Sequence, residues 1–488
     1  MISGISEMPI ADESYPFSSA ERYCHLSAKD YVEREYRVDG TANVYRTADE
    51  DGGVEVMTAD APYSNRIVVR APKDPAQASG NVVVEIINPT SFMEIERMWI
   101  LGHGEFVRSG DIYVGITSKP NTIAKLKEFN PDRYAFMSWA NPTPERPFDF
   151  DPEQLVRGGA LPDMDISYET GLFWDMLTDL AWLLRGDSDL NPIRDYPRQA
   201  ICLTGWSQSG AYLFRYLNSF AYREEVRRDG RVFDGYLSGG GIHSMCIPVN
   251  QYECCREYAH HLLRVEHVEE PFIALQTESE NGRFESWRTL MPDSDDPDFK
   301  YRLYEVTGAS HDTQWSYVDY YQDDEDLKRI DHLPVYVGKH AEANAYPSQY
   351  LFHAAFRNLF RWVRTGAAPA TCPRIELDAS GENVKDALEI PRADFAPACS
   401  SIRLPATPTR AWWSRGRARS IRRAIRTGCL ATWSRSRHRC SKSCTGRSKT
   451  IALYVSAIRR SRCHKALFVP KMPRRSLTLP WHPPVSED

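Results

Sequence analysis

Nowhere in the 488-residue chain is there a run of the roughly 18 to 20 uninterrupted apolar residues that a membrane-spanning helix needs. The opening MISGISEMPIADESYPF has neither a basic leader nor an apolar segment, so it does not read as a secretory signal. Eleven cysteines, odd in number and irregular in spacing, do not make a disulfide framework; without an export signal they are expected to be reduced, in a cytoplasmic protein. Metal-ligand spacing is also lacking. Cys254 and Cys255 are adjacent, and HHLLRVEH (260–267) reads as an amphipathic helix rather than a ligand set. The glycine run in GYLSGGGIH lacks the strand–GxGxxG–helix setting of a nucleotide site.

Acidic residues are scarce in one region only. Residues 401–488 hold two acids against 21 Lys and Arg, whereas residues 1–400 hold 64 acids against 39. This basic segment has no sustained helical or strand period and carries four of the eleven cysteines. Three readings stand: a gene that shifts frame near codon 400 to 410, a solvated disordered tail, and an arm for nucleic acid. The first is preferred, because GC-rich DNA read out of frame yields Arg, Ser, Cys and Trp with few acids. Nucleic acid and membrane are accordingly not expected partners.

What the first 400 residues do have is alternation of strand-like and helix-like text. NVVVEIIN (81–88), DIYVGIT (111–117), RQAICLTGW (198–206), PFIALQTE (271–278) and YRLYEVTG (301–308) are short β-branched or aromatic runs ending in turn residues. Between them, Leu172, Phe173, Met176, Leu177, Leu180, Leu183 and Leu184 fall at helical spacing before Gly186. Leu213, Tyr216, Leu217 and Phe220 mark another helix face, and residues 350–366 a last amphipathic helix. Such alternation predicts an α/β fold, a mostly parallel central sheet with helices on both faces. The domain is expected over 1–400, with a small cap insertion at about 244–270, a stretch between two strands. The aromatic loop at 129–150 is either a second pocket wall or a packed surface loop.

The sharpest local signal is GWSQSG (205–210), where a strand ends and a helix begins. Small residues two before and two after a serine let strand and helix pass closely, and the strained turn pushes the hydroxyl into the open. Ser209 stands where the usual pattern has a second glycine. Ser207 is thus the candidate nucleophile. A serine hydroxyl needs a base to take its proton and an acid to orient that base, in the chain order Ser, Asp/Glu, His. His311, in the small-residue turn GASHDT after a strand, is the candidate base. The acid is Glu280 or Glu278, both at the end of the strand at 271–278; Glu280, further beyond the strand, is preferred. An oxyanion needs backbone N–H donors, expected from Gln208 and, in the loop after residue 88, from Thr90 or Ser91, since Pro89 has none.

With these pieces in place, the chain resembles the α/β-hydrolase domain-containing proteins. The matching segments are EREYRVDGTANVY, APYSNRIVVRAP, GNVVVEIINPTS, FVRSGDIYVGITSK, GWSQSG and GASHDT, spread over most of residues 30–370. The resemblance implies the α/β-hydrolase fold, a serine in the second small position of the elbow, and serine-hydrolase chemistry on a small-molecule ester or lactone. Ser207, a loop carboxylate and His311 would form the triad, without metal or organic cofactor. Proteins of this family also carry a GGxRxP-like segment, of which SSIRLPATPT (400–409) is a remnant; the residues after 409 depart from the family. Beside hydrolysis stand an acyltransferase, a non-catalytic protein of the same fold, and a binder of nucleic acid through the tail.

Overall fold

The structure, a computed structural model, describes residues 1–146, 167–228, 230–241, 247–253, 263–280, 290–321, 324–330 and 344–385. The basic segment 401–488 and its boundary at 400 lie outside these residues, as do 244–246 and 254–262 of the expected cap.

The strands are β1 (Ile2–Met8), β2 (Tyr31–Thr47), β3 (Val54–Pro72), β4 (Asn81–Ile86), β5 (Ile112–Ile116), β6 (Ala200–Trp206), β7 (Gly235–Gly239), β8 (Val268–Thr277), β9 (Ser294–Asp296) and β10 (Phe299–Val306). They form one sheet in the order β1-β2-β3-β5-β4-β6-β7-β8-β10-β9. From β5 to β10 every neighbouring pair is parallel, while β1, β2 and β3 extend one edge and β9 the other in antiparallel fashion.

The parallel strands are buried at almost every residue, as expected where both faces are covered. Alternation along them divides the core. Val82, Val84, Ile201 and Leu203 pack in one cluster with Phe173, Leu177, Leu213, Tyr216 and Leu217. Val83, Ala200 and Cys202 face the other way, onto Trp99, Phe106, Phe352, Phe356 and Leu359. The helices Phe173–Arg185 and Gln208–Ser219 therefore cover one face, and Arg97–Ser109 and Ser348–Thr365 the other.

Two expectations need correction. The cap cannot extend to 270, because β8 already begins at Val268. Leu263 to His267, expected in a helix, are not α-helical; Leu263 and Val265 are buried as part of an irregular approach to β8. The aromatic loop at 129–150 is, where described, a packed element: Phe129, Tyr134 and Trp139 are buried, and Ser138 bridges Ser64 of β3.

The long β2–β3 pair was not assigned to strands from the sequence. It encloses buried ion pairs, with Glu35 holding Arg66 at 2.5 Å and Arg133 at 2.6 Å, and Arg70 holding Glu33 at 2.7 Å and Glu96 at 2.6 Å. Arg66 also pairs with Glu94. Removing one partner leaves charge stranded out of water, so Arg66→Met is expected to cost about 3 to 5 kcal/mol in urea unfolding. An unchanged midpoint would contradict this.

Glu85, inside β4, accepts the Met98 and Trp99 N–H groups at 2.8 Å each and the Tyr113 hydroxyl at 2.9 Å. It thereby satisfies the first turn of the helix Arg97–Ser109. Burial nevertheless outweighs these donors and pushes its carboxyl up to about 8. A raised carboxyl binds a proton on folding, so its contribution to stability falls as pH rises from its ordinary 4.5 towards 8. Thermal midpoints measured across that window should decline less steeply in Glu85→Gln than in the parent chain. Equal slopes would contradict the assignment.

Candidate active site

Because β6, β7, β8 and β10 are parallel and in register, their carboxyl ends deliver chain to one edge of the sheet. Trp206 lies opposite Gly239, Gly239 opposite Leu275, and Thr277 opposite Val306. Ser207, Gly240, Glu280 and His311 all come within a few residues of those ends.

At the end of β6 the chain turns into the helix Gln208–Ser219 through Ser207, whose φ is 56° and ψ −119°. A left-handed φ is uncommon for a residue with a side chain and is held here by surrounding structure. The Ser207 N–H donates to Gly239 O at 2.8 Å. Gly205 is required, since a Cβ there would lie 2.3 Å from Ser209 O. Ser209 is accommodated because its Oγ accepts the Trp206 N–H and donates to Trp206 O, both at 3.0 Å. The departure from glycine thus adds a clasp on the turn.

His311 and Glu280 are brought together. His311 Nδ1 lies 2.5 Å from Glu280 Oε1. The other carboxylate oxygen, Oε2, accepts the Thr277 N–H at 2.5 Å and the Thr277 hydroxyl at 2.7 Å. Burial raises the Glu280 carboxyl, but His311 and the Thr277 donors outweigh it and hold the group below its ordinary value. With Glu280 ionised, the Nδ1–H points at the carboxylate and Nε2 is left as an acceptor.

Glu278 goes elsewhere. Its Oε2 accepts the Gly308 N–H at 2.7 Å, and burial pushes the carboxyl up to about 7. It ties the start of the turn that carries His311 to the end of β8, and its hydrogen bond goes to backbone there while the imidazole faces Glu280.

Several residues around this pair carried no site assignment from the sequence. The Trp206 ring lies against His311, centroids 4.8 Å apart. Gly240, from the glycine run, has φ +56° and leaves room for the imidazole; a Cβ there would sit 2.9 Å from His311 Cε1. Arg97 is buried, pairs with Asp312, donates to Ser316 O at 2.9 Å and lies over Trp206 at 5.5 Å. It ties the loop after β4 to the turn bearing His311. The glycine run and the Asp following the histidine were the available signals; nothing near Arg97 marked it.

Gln208 begins its helix and is buried, and the first intrahelical bond of the turn runs from the Ala211 N–H to Ser207 O. The Gln208 N–H thus sits at a helix N-terminus, where amides have no intrahelical partner. Thr90 is placed differently from expectation. Its N–H donates to Asn88 Oδ1 at 2.9 Å, so that amide is already engaged, and its hydroxyl donates to Gln208 Oε1 at 3.2 Å. Asn88 in turn donates from Nδ2 to Trp206 O at 2.7 Å. Thr90 therefore holds the elbow from outside, through its side chain, instead of offering its amide to an oxyanion.

Among the described residues no three His, Cys, Asp or Glu side chains are grouped to hold a metal ion, and no helix is long and apolar enough to cross a membrane.

No curated protein matches the chain. Among solved structures, a glucuronoyl esterase from Solibacter usitatus is 10% identical, with 62% of this chain and 82% of that one covered and a TM-score of 0.28. Acetyl xylan esterase 1 from Thermoanaerobacterium sp. is 8% identical, with coverages of 63% and 82% and a TM-score of 0.31. A lipase/esterase from Lactobacillus plantarum is 12% identical, with coverages of 52% and 87% and a TM-score of 0.30. Residues 6–407 match the profile of the alpha/beta hydrolase domain, a span that stops close to where the composition turns basic. With a profile match over most of its length and a mostly parallel sheet covered on both faces, the chain belongs to the alpha/beta hydrolase domain family.

Proposed function

We propose that the chain is a serine hydrolase that cleaves a carboxylic ester, open-chain or lactone, through an acyl-enzyme. The observation that carries this is the Glu280–His311 pair, its imidazole lying against Trp206, the residue that precedes a left-handed Ser207 at the end of a central strand. In this reading Ser207 Oγ attacks the carbonyl carbon while His311 Nε2 takes its proton. The carbonyl electron pair moves onto oxygen, where the Gln208 N–H donates to it. As the tetrahedral intermediate collapses, His311 returns the proton to the departing alcohol. Water then repeats the sequence on the acyl-enzyme and frees Ser207.

Glu280 remains ionised throughout. It orients the imidazole and stabilises the imidazolium that forms. Its burial favours that role, because a charge pair out of water interacts more strongly than one at the surface. Trp206 and Gly240 border the imidazole on its other sides, and the Arg97–Asp312 pair holds the turn that carries it.

The test is incubation of the purified chain with a fluorophosphonate, which reacts with activated serines, followed by hydrolysis of p-nitrophenyl acetate. Labelling together with turnover is expected. A folded chain that stays unlabelled would sink the reading.

A further inference from the structure

The loop after β4 is closed at its base, where Asn88 and Ile95 exchange backbone hydrogen bonds at 3.1 and 3.0 Å. Within it, the Phe92 N–H donates to Pro89 O at 3.0 Å and makes a tight turn. Residues 87–89 and 93–100 are buried, and Thr90 and Ser91 half-buried, but Phe92 at the tip is 54% exposed. Its φ is +58°, and among the described residues it is the only apolar one, glycine aside, in the left-handed region. An exposed ring adds little apolar burial to the fold, and a bulky side chain at positive φ is strained. Strain of this kind persists where the surroundings impose it, and it collects at ligand-binding positions.

The surroundings here are the elbow itself. Asn88 is bonded to Trp206 O and Thr90 to Gln208 Oε1, the residues on either side of Ser207. From the far side of the loop, Glu94 and Glu96 pair with the buried Arg66 and Arg70. A loop clamped at both ends thus holds one aromatic ring in solvent, two residues from the contact with Gln208.

We propose that Phe92 is a specificity-determining residue: its ring forms an apolar wall beside Ser207 and receives an aromatic or bulky apolar group next to the scissile ester bond. This deepens the serine-esterase reading and rests on it.

The experiment compares the parent chain with Phe92→Gly and Phe92→Tyr on two ester pairs. One pair varies the acyl side (p-nitrophenyl phenylacetate against acetate), the other the alcohol side (benzyl against ethyl acetate). In Phe92→Gly the preference for the aromatic member should fall about tenfold in at least one pair, through KM, the scale expected for loss of apolar contact in a pocket. Phe92→Tyr should keep the preference. The thermal midpoint of Phe92→Gly should not fall, because glycine takes φ +58° without a Cβ clash. Fluorophosphonate labelling of Ser207 in each variant reports an intact elbow. An unlabelled parent chain overturns the esterase reading and this proposal with it. A labelled parent whose two preferences survive in Phe92→Gly overturns the proposal alone.

Discussion

Alanine at position 207 should lower kcat by about 10⁶-fold, the loss seen when a nucleophile is removed from a triad acting as a unit. The thermal midpoint should stay close to that of the parent, because alanine carries the same Cβ into the same left-handed turn, with φ 56°. Glycine at 207 separates the two roles of the position. It abolishes turnover as alanine does, but it relieves the backbone and should raise stability by about 1 kcal/mol, strain relief partly offset by a more flexible unfolded chain. A stabilised, inactive Ser207→Gly beside an unstabilised, inactive Ser207→Ala would mark the turn as one strained for function. Retained turnover in either variant would place the nucleophile elsewhere.

Glu280→Gln is the second large effect. A glutamine retains an amide oxygen for the Thr277 donors, but the negative charge facing His311 Nδ1 at 2.5 Å is gone. The imidazolium formed during attack then loses its counter-charge, and the preferred tautomer is no longer enforced. A fall in kcat of about 10⁴-fold is expected, with KM little changed. Glu278→Gln is the control, since its amide oxygen still accepts the Gly308 N–H and it is Glu280 that faces His311. Its rate should stay near that of the parent. The reverse ranking, with Glu278→Gln the more damaged, would contradict the assignment.

The pH dependence of stability separates the same two carboxyls. Glu280 is held below its ordinary value, so the stability it contributes is present above the unfolded carboxyl pKa of 4.5 and is lost as pH falls through its folded value. Glu278 is pushed up to about 7, so its contribution declines as pH rises from 4.5 towards 7. Unfolding curves of Glu278→Gln should therefore lack part of the decline over that interval.

The parallel half of the sheet was legible because its strands are short β-branched runs covered on both faces, and because glycine or proline bounds them. The edge formed by β2 and β3 was not. The side chains of Glu33, Glu35, Arg66 and Arg70 are buried there, and a charged residue facing inward breaks the apolar alternation that marks a strand. The sharp corner at Ser207 and the turn that carries His311 could be read from local text alone, as small residues at strand ends. Choosing between Glu278 and Glu280 depended on a turn, in which the Glu280 N–H returns to Thr277 O at 3.1 Å and folds its carboxylate back under His311. Thr90 was misplaced for a local reason. Asn-Pro-Thr favours a turn in which the asparagine side chain takes the amide two residues on, and Asn88 does so. Arg97 acts through contacts some 215 residues away in the chain, and no local pattern announces such a partner.

For the basic segment 401–488 we favour a change of reading frame over a nucleic-acid arm. Resequencing the gene around codon 400 should reveal an insertion or deletion. An intact frame through repeated reads would leave a genuine tail, and retention on DNA that weakens with salt would then indicate the arm.

The central claim is that Ser207 is an activated nucleophile. Its most direct measurement is mass-spectrometric mapping of the adduct formed when the folded chain is treated with a fluorophosphonate. The adduct is expected on the peptide containing GWSQSG, at Ser207, and absent from Ser207→Ala. A folded chain that stays unmodified, or an adduct that maps to another residue, would contradict it.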